Sequence, residues 1–207
     1  MSRGRFISLE GGEGAGKSTQ VRRLAAAIEG RGHHVVVTRE PGGSEGAEAI
    51  RSLLMSGAVS RWSGHAEALL FAAARADHVE KLIRPSVEAG SWVLCDRFVD
   101  STRAYQGAQG IDDAAILALH GFGSKGLLPD RTLVLELREG EGAARAAARD
   151  GGANDRFAAR DTQFHADVAA AFRRFAEREP ERVRVIDAGG DPEGVTDRLI
   201  AALSDLL

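Results

Sequence analysis

Gly11-Gly12-Glu13-Gly14-Ala15-Gly16-Lys17-Ser18, followed by Thr19, is a complete G-x-x-x-x-G-K-[ST] stretch. A short apolar run with Phe6, Ile7 and Leu9 precedes it, and a helix-like stretch over 19–29 follows. That strand–loop–helix context turns the pattern into a mechanism. Glycines let the backbone turn its N–H groups toward phosphate oxygens, the lysine brings a mobile cation to the outer phosphates, and the serine hydroxyl suits Mg²⁺. The residues from Gly11 to Thr19 are therefore expected to cradle a nucleoside triphosphate.

Outward from this loop, short apolar runs alternate with longer helical stretches. Runs at 5–10, 34–38, 92–95, 132–137 and 182–186 read as strands. The first, third and fourth are almost continuously apolar, as strands covered on both faces are. Helical patterns lie near 17–30, 45–56, 64–89, 112–124, 139–149, 160–178 and 192–206. The alternation predicts an α/β, three-layer, P-loop NTPase-type fold with a parallel sheet between helices. At 207 residues with no internal repeat, 1–207 is expected to be a single domain. The polar, Gly-containing stretch 149–156 suits a mobile lid over roughly 145–160; on composition alone it suits a plain surface loop equally well.

The formal charge of −3 argues against a general nucleic-acid or membrane surface. No apolar run approaches the roughly 20 residues of a membrane span. The first residues lead directly into a strand, so no signal peptide is expected. Cys95 is the only cysteine, which excludes an intrachain disulfide and makes a reducing cytoplasm the expected setting. Lys17, Lys81 and Lys125 are the only lysines, so Lys17 is no chance member of a basic tract.

The third strand ends in Asp96-Arg97. A carboxylate at a strand tip near the loop is placed to hold Mg²⁺ or its waters, though such an Asp is often only a cap; the neighbouring Arg97 can clamp a second phosphate. Ser101, Thr102, Tyr105 and Gln106 then offer hydroxyl, amide and aromatic groups, which suit a nucleobase and sugar but also an ordinary helix N-terminus. Thr38-Arg39-Glu40-Pro41-Gly42-Gly43 forms a rigid corner where open α/β sheets bind ligands, and Arg51 follows it. Phe71 and Arg75 share a helix face, and a ring beside a guanidinium can read a planar base; Phe71 alone would read as core.

Together these residues resemble the bacterial thymidylate kinases. The likeness rests on Gly11 to Ser18, Thr38 to Gly43, Leu70-Phe71-Ala72-Ala73-Ala74-Arg75, Asp96-Arg97-Phe98 with Ser101 to Gly107, and Asp155-Arg156-Phe157, in the family's order. The resemblance implies transfer of the γ-phosphoryl of ATP to dTMP, with Mg²⁺ at Ser18 and Asp96, a five-stranded parallel sheet and a homodimer. Phe71 would stack on thymine and Arg75 would bond its O4. Thr102 and Gln106 would meet the base, Ser101 and Tyr105 would shape the pocket, and Tyr105 would crowd a 2′-hydroxyl. Arg97 and Arg51 would hold the dTMP phosphate, Glu13 the 3′-hydroxyl, and Glu40 would lie beside the acceptor. Arg39 is left as an outer residue.

Lys17, Mg²⁺ and a mobile arginine would surround the transferred group. In this family that arginine comes from the phosphate loop or from the lid, and this loop has none. Arg149 is the first choice, with Arg145 and Arg156 next. One departure is that Ala158-Ala159-Arg160 stand where family members carry acidic residues, which puts the lid's closing contacts and any role for Asp161 in question.

Another monophosphate kinase would share the loop and lid but not the Phe71/Arg75 and Thr102/Gln106 set. A GTPase would need an Asn-Lys-x-Asp guanine reader, and the sole asparagine, Asn154, is followed by aspartate. A partitioning ATPase would carry lysine where Gly12 stands. For His120, His165 and Cys95, packing or exposure is the expected role.

Overall fold

The computed structural model describes residues 3–137, 157 and 160–207. Its centre is a five-stranded parallel sheet: β1 (Phe6–Gly11), β2 (Val35–Arg39), β3 (Trp92–Asp96), β4 (Arg131–Glu136) and β5 (Val183–Asp187). The strand order is β2-β3-β1-β4-β5, so the phosphate loop leaves the central strand at a point where the order reverses. β1 and the apolar part of β3 are buried throughout, which is why they read as continuous apolar runs.

The helices are α1 (Lys17–Glu29), α2 (Glu45–Met55), α3 (Gly64–His78), α4 (Arg84–Glu88), α5 (Val99–Tyr105), α6 (Asp113–Ser124), α7 (Thr162–Arg178) and α8 (Pro192–Ala201). Caps set half of these starts: Ser44, Ser63, Asp161 and Asp191 each accept from a first-turn backbone N–H. Asp161 thus acts as the N-cap of α7. One core cluster packs α1 and α8 on one sheet face; others lie on the opposite side under α3 to α5 and α7.

Three expectations need correction. The helix expected over 64–89 is interrupted by a π-helical turn, Val79–Ile83. Pro85 follows it; its ring would collide with the Lys81 carbonyl in a regular helix, and the wider turn relieves that clash. The last helix ends at Ala201, short of 206. α5 falls outside the expected helical ranges, though its residues also suit a helix N-terminus; seven residues are too few for a periodicity to show. The helical expectation over 139–149 lies outside the described residues.

Candidate active site

Gly11 and Gly16 set the shape of the phosphate loop. Gly11 has φ 129°, and a Cβ there would lie 2.3 Å from the Leu135 carbonyl oxygen on β4. Gly16, at φ 86°, precedes the first turn of α1 in a left-handed conformation that glycine adopts without strain. Lys17 arches back over the loop, its Nζ donating to the Gly11 and Gly12 carbonyls at 3.0 and 2.8 Å. Burial, then the Arg97 charge, pushes its ammonium down to about 8, so it remains a cation at neutral pH. Ser18 Oγ donates to Asp96 Oδ2 at 3.0 Å, bringing together the two residues read as metal ligands.

Beside the loop lies a cleft open to solvent. Glu13, Glu40, Arg51, Phe71, Arg75, Arg97, Ser101, Thr102, Tyr105 and Gln106 all line it. The cleft also takes in Pro41, Met55, Phe98 and Phe157, which the sequence did not mark as site residues. The ring of Phe157 lies 5.8 Å from Phe71 and 6.1 Å from Tyr105, so the residue after the Asp155-Arg156 motif packs on the aromatic wall.

One end of the cleft is cationic. Arg97 Nη2 pairs with Glu13 Oε1 at 2.6 Å, and its Nη1 donates to the Gly11 carbonyl and Ser101 Oγ, each at 3.2 Å. Its guanidinium sits 5.1 Å from the centre of the Tyr105 ring. Arg97 has φ 70°, a left-handed conformation rare for a non-glycine residue and typical of a functional turn. Arg51 reaches across from α2 and donates to the Pro41 carbonyl at 2.7 Å.

The other end is a buried polar set. Arg75 Nε donates to Glu40 Oε2 at 2.8 Å and its Nη2 to Thr102 Oγ1 at 2.8 Å. His78 bridges Glu40 Oε1 (3.1 Å) and Thr38 Oγ1 (2.8 Å). Glu40 is therefore the structural partner of Arg75. Gln106 Nε2 donates to the buried Glu67 at 3.3 Å, and Arg160 reaches the same carboxylate at 3.8 Å and Gln109 Oε1 at 3.3 Å. Arg160 thus brings a cation to Glu67. Arg39 pairs with Glu48 on the surface.

On α5, Asp100 is fully buried. Burial alone would push its carboxyl up, but hydrogen bonds and charges from Arg182 and Arg103 hold it below the usual range. His120 is a packing residue: its ring lies edge-on to Phe98 at 5.6 Å and Nε2 meets the Leu127 carbonyl at 2.7 Å. His165 packs edge-on against the Phe164 ring. The buried Cys95 thiol donates to the Arg97 carbonyl at 3.0 Å. Arg145, Arg149 and Arg156 lie outside the described residues.

A phosphate loop on the central strand, a metal-type pair beside it and a facing aromatic, arginine-lined cleft define a P-loop kinase of small phosphorylated acceptors. The thymidylate kinase family model matches residues 9–199. Thymidylate kinase of Rhizorhabdus wittichii is 61% identical over 205 residues, 99% of each chain. That of Caulobacter vibrioides is 52% identical over 210 residues, covering 100% of this chain and 97% of the relative. The crystal structure of thymidylate kinase from Ehrlichia chaffeensis is similar with TM-score 0.81 and 31% identity, covering 98% of this chain and all of that one. The chain belongs to the thymidylate kinase family. It is a nucleoside monophosphate kinase that uses ATP to convert dTMP to dTDP.

Proposed function

We propose the following division of labour for that reaction, carried by the observation that the acceptor-side residues line one cleft adjoining the phosphate loop. Arg97 and Arg51 hold the dTMP phosphate while Phe71 stacks on the base and Arg75 donates to its O4. Thr102 receives an Arg75 hydrogen bond and so fixes that guanidinium. Gln106 Oε1 is buried with no hydrogen-bond partner among the described residues, leaving an acceptor for a pyrimidine N3–H. Ser101 steers Arg97, Tyr105 stacks beneath it and crowds a 2′-hydroxyl, and Glu13 meets the 3′-hydroxyl.

On the donor side, the loop N–H groups and Lys17 hold the ATP phosphates. An oxygen of the dTMP phosphate then forms a bond to the γ-phosphorus as the bond to the ADP oxygen breaks. Fixed cations favour this step because they neutralise charge without reorganising. The hard oxygen donors Ser18 and Asp96, in contact with each other, fit a Mg²⁺ ion that keeps most of its waters. When bound, that ion neutralises charge on the phosphate oxygens. Arg149, with Arg145 on ATP and Arg156 as the further candidates, supplies the lid cation.

A coupled ADP-release assay across dTMP, dUMP, UMP, GMP and AMP tests the assignment: dTMP is expected to turn over best, and equal or better use of a purine monophosphate would sink it. In the same assay Arg149→Ala is expected to lower kcat by roughly 10²–10³ with little change in dTMP affinity; an unchanged kcat moves the role to Arg145 or Arg156.

The working form is a homodimer of single-domain chains, acting in the cytoplasm on ATP and dTMP without nucleic-acid or membrane partners. Among the described residues no helix is long and apolar enough to cross a membrane. α2, α3 and α6 pack in sequence and carry the exposed Leu53, Leu69 and Phe122, the last 92% exposed. Light scattering is expected to read twice 21.9 kDa, falling to the monomer mass in Phe122→Glu; a wild-type monomer refutes the dimer.

A further inference from the structure

Glu10 stands one residue before the phosphate loop, at the carboxyl end of β1, and its side chain is fully buried. It does not line the cleft, yet it touches the element that carries Ser101, Thr102 and Tyr105 into it. Oε1 accepts from the backbone N–H of Phe98 at 2.7 Å and of Ser101 at 3.3 Å; Oε2 accepts from Ser101 Oγ at 2.5 Å. α5 has no side-chain cap of its own. A carboxylate from another strand therefore takes the place of its N-cap and fixes where the helix begins. The residue immediately before that cap is Arg97, held at φ 70°.

The side chains continue the link. Arg97 Nη1 donates to Ser101 Oγ, and Ser101 donates to Glu10, so a charge-assisted relay runs from guanidinium to hydroxyl to carboxylate. The charged and titratable groups coupled to Glu10 come from every side: Asp100 and Tyr105 on α5, Arg97 before it, Cys95 on β3 and Lys17 on α1. Burial, reinforced by Asp100, pushes the Glu10 carboxyl up to about 7.

We propose that Glu10 is a positioning residue for acceptor binding: through the Phe98 backbone and the Ser101 hydroxyl it sets the left-handed turn at Arg97 and orients its guanidinium in the cleft. The inference rests on the reading of Arg97 as the clamp for the dTMP phosphate.

Glu10→Gln keeps the size and the acceptor for Phe98 N–H but removes the charge. KM for dTMP is expected to rise about tenfold, with a smaller change in kcat. The wild-type to variant ratio of kcat/KM cancels the titration of dTMP itself. It is expected to approach one near pH 6 and to open above about 7, where wild-type Glu10 ionises. Thermal stability should move the other way. A carboxyl whose folded pKa lies above its unfolded value stabilises below the unfolded value and loses that contribution as pH rises through about 7. Glu10→Gln should therefore melt higher than wild type at pH 8, although it binds dTMP less well. On an Arg97→Ala background the same change should have no further effect on KM.

An Arg97→Ala variant with wild-type KM for dTMP overturns the clamp reading and this proposal with it. If Arg97→Ala raises KM but Glu10→Gln leaves KM and a pH-independent ratio, the positioning role alone fails. Loss of fold in Glu10→Gln, with Ser101→Ala retaining wild-type KM, also overturns it, since Ser101→Ala spares the backbone bonds and breaks only the relay.

Discussion

Arg97→Ala is expected to lower kcat/KM for dTMP by roughly 10²–10³, the loss that follows truncation of one member of a partly buried charge pair at a phosphate site. The guanidinium is fixed by Glu13, Ser101, the Gly11 carbonyl and the Tyr105 ring. An alanine would remove the positive charge that Arg97 holds between Glu13 and the incoming phosphate dianion. Arg97→Lys should recover little, because a point charge cannot reproduce the planar fork. The backbone adds a second, separable expectation. At φ 70° any Cβ costs about 1 kcal/mol relative to glycine. Arg97→Gly and Arg97→Ala should therefore be equally poor catalysts, with the glycine variant the more stable by thermal unfolding. Equal melting temperatures would show that this turn stores no strain.

Arg75→Met should affect stability as well as recognition. Arg75 and Glu40 are 2% and 4% exposed, and removing the guanidinium leaves the carboxylate with His78 as its remaining ionisable neighbour among the described partners. Breaking such a pair costs about 3–5 kcal/mol, a drop in melting temperature on the order of 10 °C for a domain of this size. Adding Glu40→Gln removes the stranded charge and should restore much of the stability. It should not restore the preference for dTMP over purine monophosphates, because the donor to the base remains missing. Full recovery of selectivity in the double variant would show that Arg75 is a packing residue only.

Much of the site was legible because its residues fall into short, ordered motifs. The loop from Gly11 to Ser18 carries its own geometry, and the apolar strands around it follow from burial on both faces. Strand positions were right to within about a residue, since a buried run has few places to begin. The expected acceptor set came from the resemblance, carried by motifs at the ends of β2 and β3 and on α3 and α5, and one cleft brings those residues together.

Other features were illegible for physical reasons. Glu10 reads as the last residue of an apolar strand, and nothing near it in sequence hints at Phe98 and Ser101, 88 and 91 residues away. Glu40 reads as a residue beside the acceptor; only the approach of α3 makes it the partner of Arg75 and His78. In the sequence Arg160 only leaves the lid's closing contacts in question; the fold brings it toward Glu67 and Gln109.

The sequence by itself determined the phosphate loop and the parallel α/β architecture through local spacing and side-chain class, and its ordered motifs carried the resemblance to the family. Tertiary structure alone decided which charges are paired, which backbone turn is held left-handed at Arg97, and which carboxylates are structural. Those depend on distances between strands and helices far apart along the chain, where desolvation and geometry, not composition, set the energy of every charged group.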